Sequence, residues 1–251
     1  MARKRKTPSS GGTLLGDPVS VIAPLHRTKR VEVDSRGEVW FAVDEAGDEW
    51  VTKEVSGANL AAEILSWHLA RAIGVRIPHG AAVVPHDGTT SWATRTIPNA
   101  LHWTPSLGEV VDPVDAAGVL VLDCLIHNGD RHEANLMWTP LKGGKGLLHA
   151  IDHDLAAIGD VEEFRDLVVS PPPRLSHAPG FPYSRAASAI GRYVDATNAL
   201  SRAQLTAYVR DALDWAKRSD KTAEHTDTVY NRCQAIGSIV AQYLKEAGVS
   251  S

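Results

Sequence analysis

An Asp followed five residues later by an Asn, with another Asp beyond a short apolar hairpin, supplies the groups needed to move a phosphoryl group from ATP to a hydroxyl. Residues 127–154, HNGDRHEANLMWTPLKGGKGLLHAIDHD, contain that set as Asp130, Asn135 and Asp152. In such chemistry one Asp accepts the acceptor hydroxyl's proton, while an Asn oxygen and a carboxylate hold the Mg2+ that bridges the phosphates. Each residue alone has a plain explanation, since an Asp beside Gly129 can simply cap a turn. The reading rests on the ordered set. Leu136-Met137-Trp138 and residues 147–151 read as the two strands of a hairpin turning at Gly143, Gly144 and Gly146. That hairpin would return Asp152 to the side of Asn135.

Two further charges are needed on the nucleotide side. EWVTKEV carries Lys53 on an alternating strand, and NLAAEILSWHLARAIG carries Glu63 on a helix. Apolar Leu60, Ile64, Trp67 or His68 and Ala72 recur at helical spacing, with Asn59 as N-cap and Gly74 as the stop. Lys53 would hold the ATP phosphates, and Glu63 would hold Lys53. A strand lysine is otherwise a solvated edge residue, so its role depends on Glu63 following on a suitable helix.

Lys53, Glu63, HNGDRHEAN and IDHD together resemble the HipA-like kinases, whose catalytic loop is built on HN-x-D-x-H-x-x-N. The loop Asp130-Arg131-His132-Glu133-Ala134-Asn135 is also similar to the D-R-H-x-x-N of phosphatidylinositol kinases. The D-x-x-x-x-N spacing is that of protein kinases in general. The resemblance implies an α+β, two-lobed protein-kinase-like fold with a small β-rich N-lobe and a mainly helical C-lobe. It implies ATP and Mg2+ as cofactors, Asp130 and His132 as catalytic residues, Lys53 and Glu63 as nucleotide-binding residues, and Asn135 and Asp152 as metal ligands. His132 either supports the loop or stabilises charge on the transferred group. Arg131 reads as a phosphate contact or as one half of an ion pair with a large-lobe helix, and Asp154 as a further metal ligand or a cap. Two departures stand out. Asp152 is followed by His153-Asp154 rather than Phe-Gly, and no G-x-G-x-x-G precedes Lys53, leaving Ser35-Arg36-Gly37 and Glu45-Ala46-Gly47-Asp48 as the turns that could cover phosphates.

The elements that must position these groups fit within the chain. Its 251 residues, 43% hydrophobic and 22% charged, allow one small nucleotide lobe and one larger helical lobe. The expected division is a basic tail over 1–18, a nucleotide lobe over 19–100 and a catalytic lobe over 101–251. Residues 94–102 are the expected hinge. Pro113 opens a helix over 113–126 that delivers the catalytic loop, residues 154–192 read as irregular, and helices over 201–217 and 227–247 close the chain. Ser176, Ser184 and Ser188 fall in the irregular part; HipA-like kinases can be controlled by autophosphorylation there, but exposed serines are the preferred reading.

A net charge of −4 gives no overall nucleic-acid signal, and no run approaches a membrane span. Cys124 and Cys233 lack metal spacing and suit a reducing cytoplasm. The implied partner is a hydroxyl acceptor, a protein Ser or Thr or a small alcohol; a lipid head group matches only through one loop. The alternatives are a metal-dependent hydrolase using His127, Asp130, His132, His149, Asp152, His153 and Asp154, which gives no task to Asn135, Lys53 or Glu63, and a catalytically silent kinase-fold binding protein.

Overall fold

The computed structural model describes residues 25–31, 38–83, 90–173 and 178–249. The basic tail, the turns at Ser35-Arg36-Gly37 and His86-Asp87-Gly88, Val84, Arg174 and Ser176 lie outside them. The N-terminal part is built on β1 (His26–Arg30), β2 (Val39–Val43), β3 (Glu49–Glu54), β4 (Gly80–Val83) and β5 (Ser91–Arg95). They form an antiparallel sheet in the order β1-β2-β3-β5-β4. Lys53 therefore lies on a central strand, opposite Val39 on one side and Trp92 on the other. Period-2 alternation along β3 buries Trp50 and Thr52, and Val51 and Lys53 project from the opposite face.

Helix α1 (Gly57–Ile73) follows directly. Its N-cap is Ser56 rather than the expected Asn59, while Gly74 ends it in the left-handed conformation as expected. Leu60 to Ala70 are all buried, because α1 has the sheet on one side and helix α6 (Arg202–Trp215) on the other. A helix apolar on one stripe would face only one of these layers.

Beyond β5 the chain crosses residues 96–100, with Asn99 at φ 59, and enters a second sheet at β6 (Leu101–His102). Together with β7 (Leu136–Pro140) and β8 (Gly146–Ala150), β6 forms a three-stranded sheet in the order β6-β7-β8. The predicted hairpin is present, and its register pairs Leu136 with Ala150. Helix α2 (Pro113–Ile126) has the predicted bounds: Asp112 accepts from the Val114 N–H and Pro113 occupies the first turn.

The stretch expected to be irregular contains α3 (Val161–Asp166), α4 (Tyr183–Ala187) and the start of α5 (Gly191–Asn198). α3 and α4 span only six and five residues, too short to show a helical period in sequence. At the C-terminus, α6 starts behind a Ser201–Gln204 capping box. α7 (Thr222–Glu246) begins five residues before the expected 227. One hydrophobic cluster runs from Val55 and α1 through α2 to α7, and a small second cluster of Ala42, Trp50, Val83 and Ala93 covers the far side of the sheet. The chain thus has a small antiparallel β N-terminal part and a mainly helical C-terminal part. Among the described residues no helix is long and apolar enough to cross a membrane.

Candidate functional site

The catalytic-loop candidates grow out of the end of α2. His127 caps that helix in the left-handed conformation (φ 53), and the following turn is fixed by side chains. Asn128 donates to Asp123 at 3.0 Å and its Oδ1 accepts from the Asp130 N–H at 3.0 Å. Both His127 and Asn128 thus shape the loop. Arg131 is buried, with Nη2 2.9 Å from Asp123 Oδ1 and Nε 3.0 Å from Oδ2. Its Nη1 donates to the carbonyls of Asn135 (2.7 Å) and Ile151 (2.8 Å). Of the two sequence readings of Arg131, the ion pair with a large-lobe helix is the one formed. It also ties the start of β7 to the end of β8.

Asn135 closes the loop: its Nδ2 donates to the Asp130 carbonyl at 2.9 Å. With that nitrogen engaged, Oδ1 is the atom of this amide able to face a cation. The Ile151 N–H binds the Asn135 carbonyl at 3.1 Å, so the hairpin does return Asp152 to the side of Asn135. His132 accepts from the Ala134 N–H through Nδ1 at 3.2 Å, which places the proton of the neutral ring on Nε2. Nε2 lies 3.8 Å from Asp130 Oδ2, both side chains about 40% exposed (42% and 40%). Asp130 and His132 are therefore both open to solvent.

Lys53 reaches across from β3. Its Nζ lies 2.9 Å from Asp152 Oδ1 and 2.9 Å from Asp154 Oδ2. Burial works against its charge, but the two carboxylates outweigh it and hold its pKa above the ordinary lysine value. The sequence expectation that Glu63 holds Lys53 is not what the geometry displays: among the described residues Lys53 pairs with Asp152 and Asp154 and not with Glu63. The Glu63 carboxylate, only 4% exposed, faces His153, with 3.6 Å between Oε2 and Nδ1. It also accepts from the His153 backbone N–H and meets the Asp152 side chain. The reason is the approach of the segment after Asp152 to α1. A Cβ on Gly159 would stand 2.0 Å from the Ala58 carbonyl oxygen, so only glycine lets the two backbones come this close.

Burial and the neighbouring Asp154 raise the Glu63 carboxyl to about 7. Burial, reinforced by Asp152, also raises Asp154. Burial and the Arg131 charge push His153 down to about 3, which keeps its ring neutral between these acids.

Oxygens of Glu63, Asp152 and Asp154 all lie within 4.8 Å of one another. Three carboxylates against one ammonium leave an excess of negative charge, and hard oxygen donors suit Mg2+. The residues present thus fit the metal that phosphoryl transfer requires. A small cavity adjoins them, lined by Trp67, Ile77, Pro78, Trp92, Thr94 and Ile151. The histidines do not converge in the same way. Among the described residues no group of potential ligands includes one, and His149 instead meets Thr139 at 3.2 Å.

Sequence reasoning left open the part played by Asp154 and did not single out Asp123. An ionisable residue inside the otherwise apolar run VLVLDCLI was the signal available for Asp123.

No protein-family model matches the sequence, and no curated protein matches it. Solved structures do. A Helicobacter pylori proinflammatory kinase, CtkA, aligns over 92% of this chain and 98% of its own at 10% identity, with a TM-score of 0.52. The Golgi casein kinase aligns over 92% of this chain and 75% of its own at 11% identity, with a TM-score of 0.50. At these identities the likeness concerns the fold, and this chain has a kinase-like fold.

Proposed function

We propose that the chain is an ATP- and Mg2+-dependent phosphotransferase of the HipA-like kinase type that phosphorylates a hydroxyl, with a protein Ser or Thr as the first candidate acceptor. The observation that carries this reading is the meeting of Lys53 with Asp152, 99 residues apart in sequence and 2.9 Å apart in space, beside the loop that links Asp130 to Asn135. A strand lysine that merely solvated an edge would have no reason to cross to the helical part.

In this reading Asp130, exposed beside His132, orients the acceptor hydroxyl and takes its proton. Lys53 holds the phosphates, and residues 94–102 offer main-chain groups to the adenine. Asp152 and Asn135 hold Mg2+, with Glu63 and Asp154 close enough to join them; the bound ion would neutralise charge on the phosphates. Among the described residues no histidine joins the acidic group of potential ligands, which weighs against a hydrolase built on an imidazole metal site.

The test is transfer from γ-labelled ATP with Mg2+, alone and with cell lysate, comparing the parent with Asp130→Asn and Asp152→Asn. The expected outcome is label on a protein band that both variants lose, by a factor of at least about 100 for the removed base. Label on a small molecule would change the acceptor to an alcohol metabolite. A parent that neither transfers label nor binds ATP would overturn the reading.

A further inference from the structure

We propose that Asp154, rather than Glu63, is the carboxylate that holds Lys53 in its working position. The proposal rests on the phosphotransferase reading above, because it concerns the lysine assigned there to the phosphates.

The two acids that touch Lys53 are not equivalent. Asp154 has a side chain only 7% exposed, whereas that of Asp152 is 36% exposed. A buried carboxylate that loses its cation is left uncompensated, while a half-open one can exchange its partner for water or for another cation. Among the described residues Lys53 is the cation paired with Asp154. The Lys53–Asp154 contact is therefore the fixed one. The Lys53–Asp152 contact is the one that can be given up when Asp152 takes another cation.

Glu63 is committed elsewhere. The His153 ring stands 3.6 Å from its carboxylate, and Lys53 favours the charge of that carboxylate only from beyond ion-pair distance. The local chain path explains the exchange of partners. Asp152 has φ 55, in the left-handed region, and His153 is buried beside Glu63. The next residue, Asp154, then meets the ammonium, with which Glu63 makes no ion pair. A Gly or Ala at 154 would leave Lys53 with Asp152 alone.

Asp154 is thus a positioning residue for Lys53, carried on the same segment as the proposed metal ligand Asp152 and not on α1. The orientation of the lysine would then be set within the catalytic lobe.

The experiment uses the full chain and two double-mutant cycles, Lys53→Met with Asp154→Asn and Lys53→Met with Glu63→Gln. Each is read by urea unfolding without nucleotide and by calorimetric titration with MgADP. Asp154→Asn and Lys53→Met are each expected to weaken MgADP binding about tenfold, and the double variant no more than the weaker-binding single one. Losses in the Lys53/Glu63 cycle should come closer to multiplying than those in the Lys53/Asp154 cycle. The unfolding cycles should likewise give a larger coupling for Lys53 with Asp154 than with Glu63. Multiplying losses for Lys53 and Asp154, with coupling found instead for Glu63, would overturn the proposal. A parent that binds no MgADP would overturn the phosphotransferase reading, and the unfolding cycles would still decide which acid holds the lysine.

Discussion

Asp123 sits in the apolar run of α2, buried on every side, and its carboxylate is shared by Arg131 and Asn128. Removing one partner of a buried ion pair leaves the other charge uncompensated, at a cost of about 3–5 kcal/mol. Asp123→Ala should lower stability by an amount of that order in urea unfolding, and should abolish activity, because Arg131 also ties Asn135 to Ile151. A loss below about 1 kcal/mol would mean that Arg131 finds other partners.

His127 tests the same loop by pH. Burial, helped by the Arg232 charge, holds its ring neutral down to about 4, whereas an unfolded histidine takes a proton near 6.5. Between those values the unfolded chain binds more protons than the folded one, so stability contributed by this ring is full above about 6.5 and is lost as pH falls towards 4. The slope for one group stays below about 1.4 kcal/mol per pH unit. A His127→Asn variant, whose side chain also tolerates the left-handed cap, should unfold with a shallower acid dependence than the parent. Equal slopes would remove His127 from the account.

At the scale of elements, the candidate catalytic loop is held between α2 and the strap that follows α3. Arg232 of α7 is buried and donates to the Cys124 and Leu125 carbonyls at the end of α2, and to those of Leu167 and Ser170. It caps the helix that delivers the loop and fixes the chain leading to Pro171-Pro172-Pro173. A Cβ on Gly129 would stand 3.3 Å from the Pro173 ring, so the strap lies against the residue before Asp130. Gly129→Ala should therefore displace Asp130 and lower kcat about tenfold or more, and adding Pro173→Ala, which removes the opposing ring atoms, should restore most of it. No recovery in the double variant would mean that the strap does not set the position of Asp130.

These elements were unequally legible in the sequence. The start of α2 follows from Pro113, and the β7–β8 hairpin from glycines between two apolar runs, because helix starts and turns are local signals. The Asp130–Asn135 spacing is local too. The partner of Lys53 was not legible, because a choice between Glu63 and Asp154 depends on how closely α1 approaches the segment after Asp152. Arg232 looked like any polar residue of a surface helix; its carbonyl partners lie 62 to 108 residues away.

Over the whole molecule, the expected division near residue 100 corresponds to a change of sheet rather than to a break in the core. Val55, Trp92 and α1 belong to the same hydrophobic cluster as α2, α6 and α7. His68 of α1 lies 2.8 Å from Asp211 of α6 and stacks on Tyr208, with ring centroids 4.7 Å apart. A β-rich N-terminal part bolted to the helical part in this way cannot unfold while the rest stays native, since doing so would expose α1 on both sides. Urea unfolding should accordingly give coincident transitions by tryptophan fluorescence and far-UV circular dichroism. Trp40, Trp50, Trp67 and Trp92 in the first signal report the sheet side, whereas the helices of the C-terminal part dominate the second. Asp211→Ala should move both midpoints down together, by an amount corresponding to about 1–3 kcal/mol for a half-buried charged hydrogen bond. If fluorescence instead changed first, at a midpoint that the substitution lowered alone, the two parts would be separate folding units and the His68–Asp211 contact would be a weak dock between them.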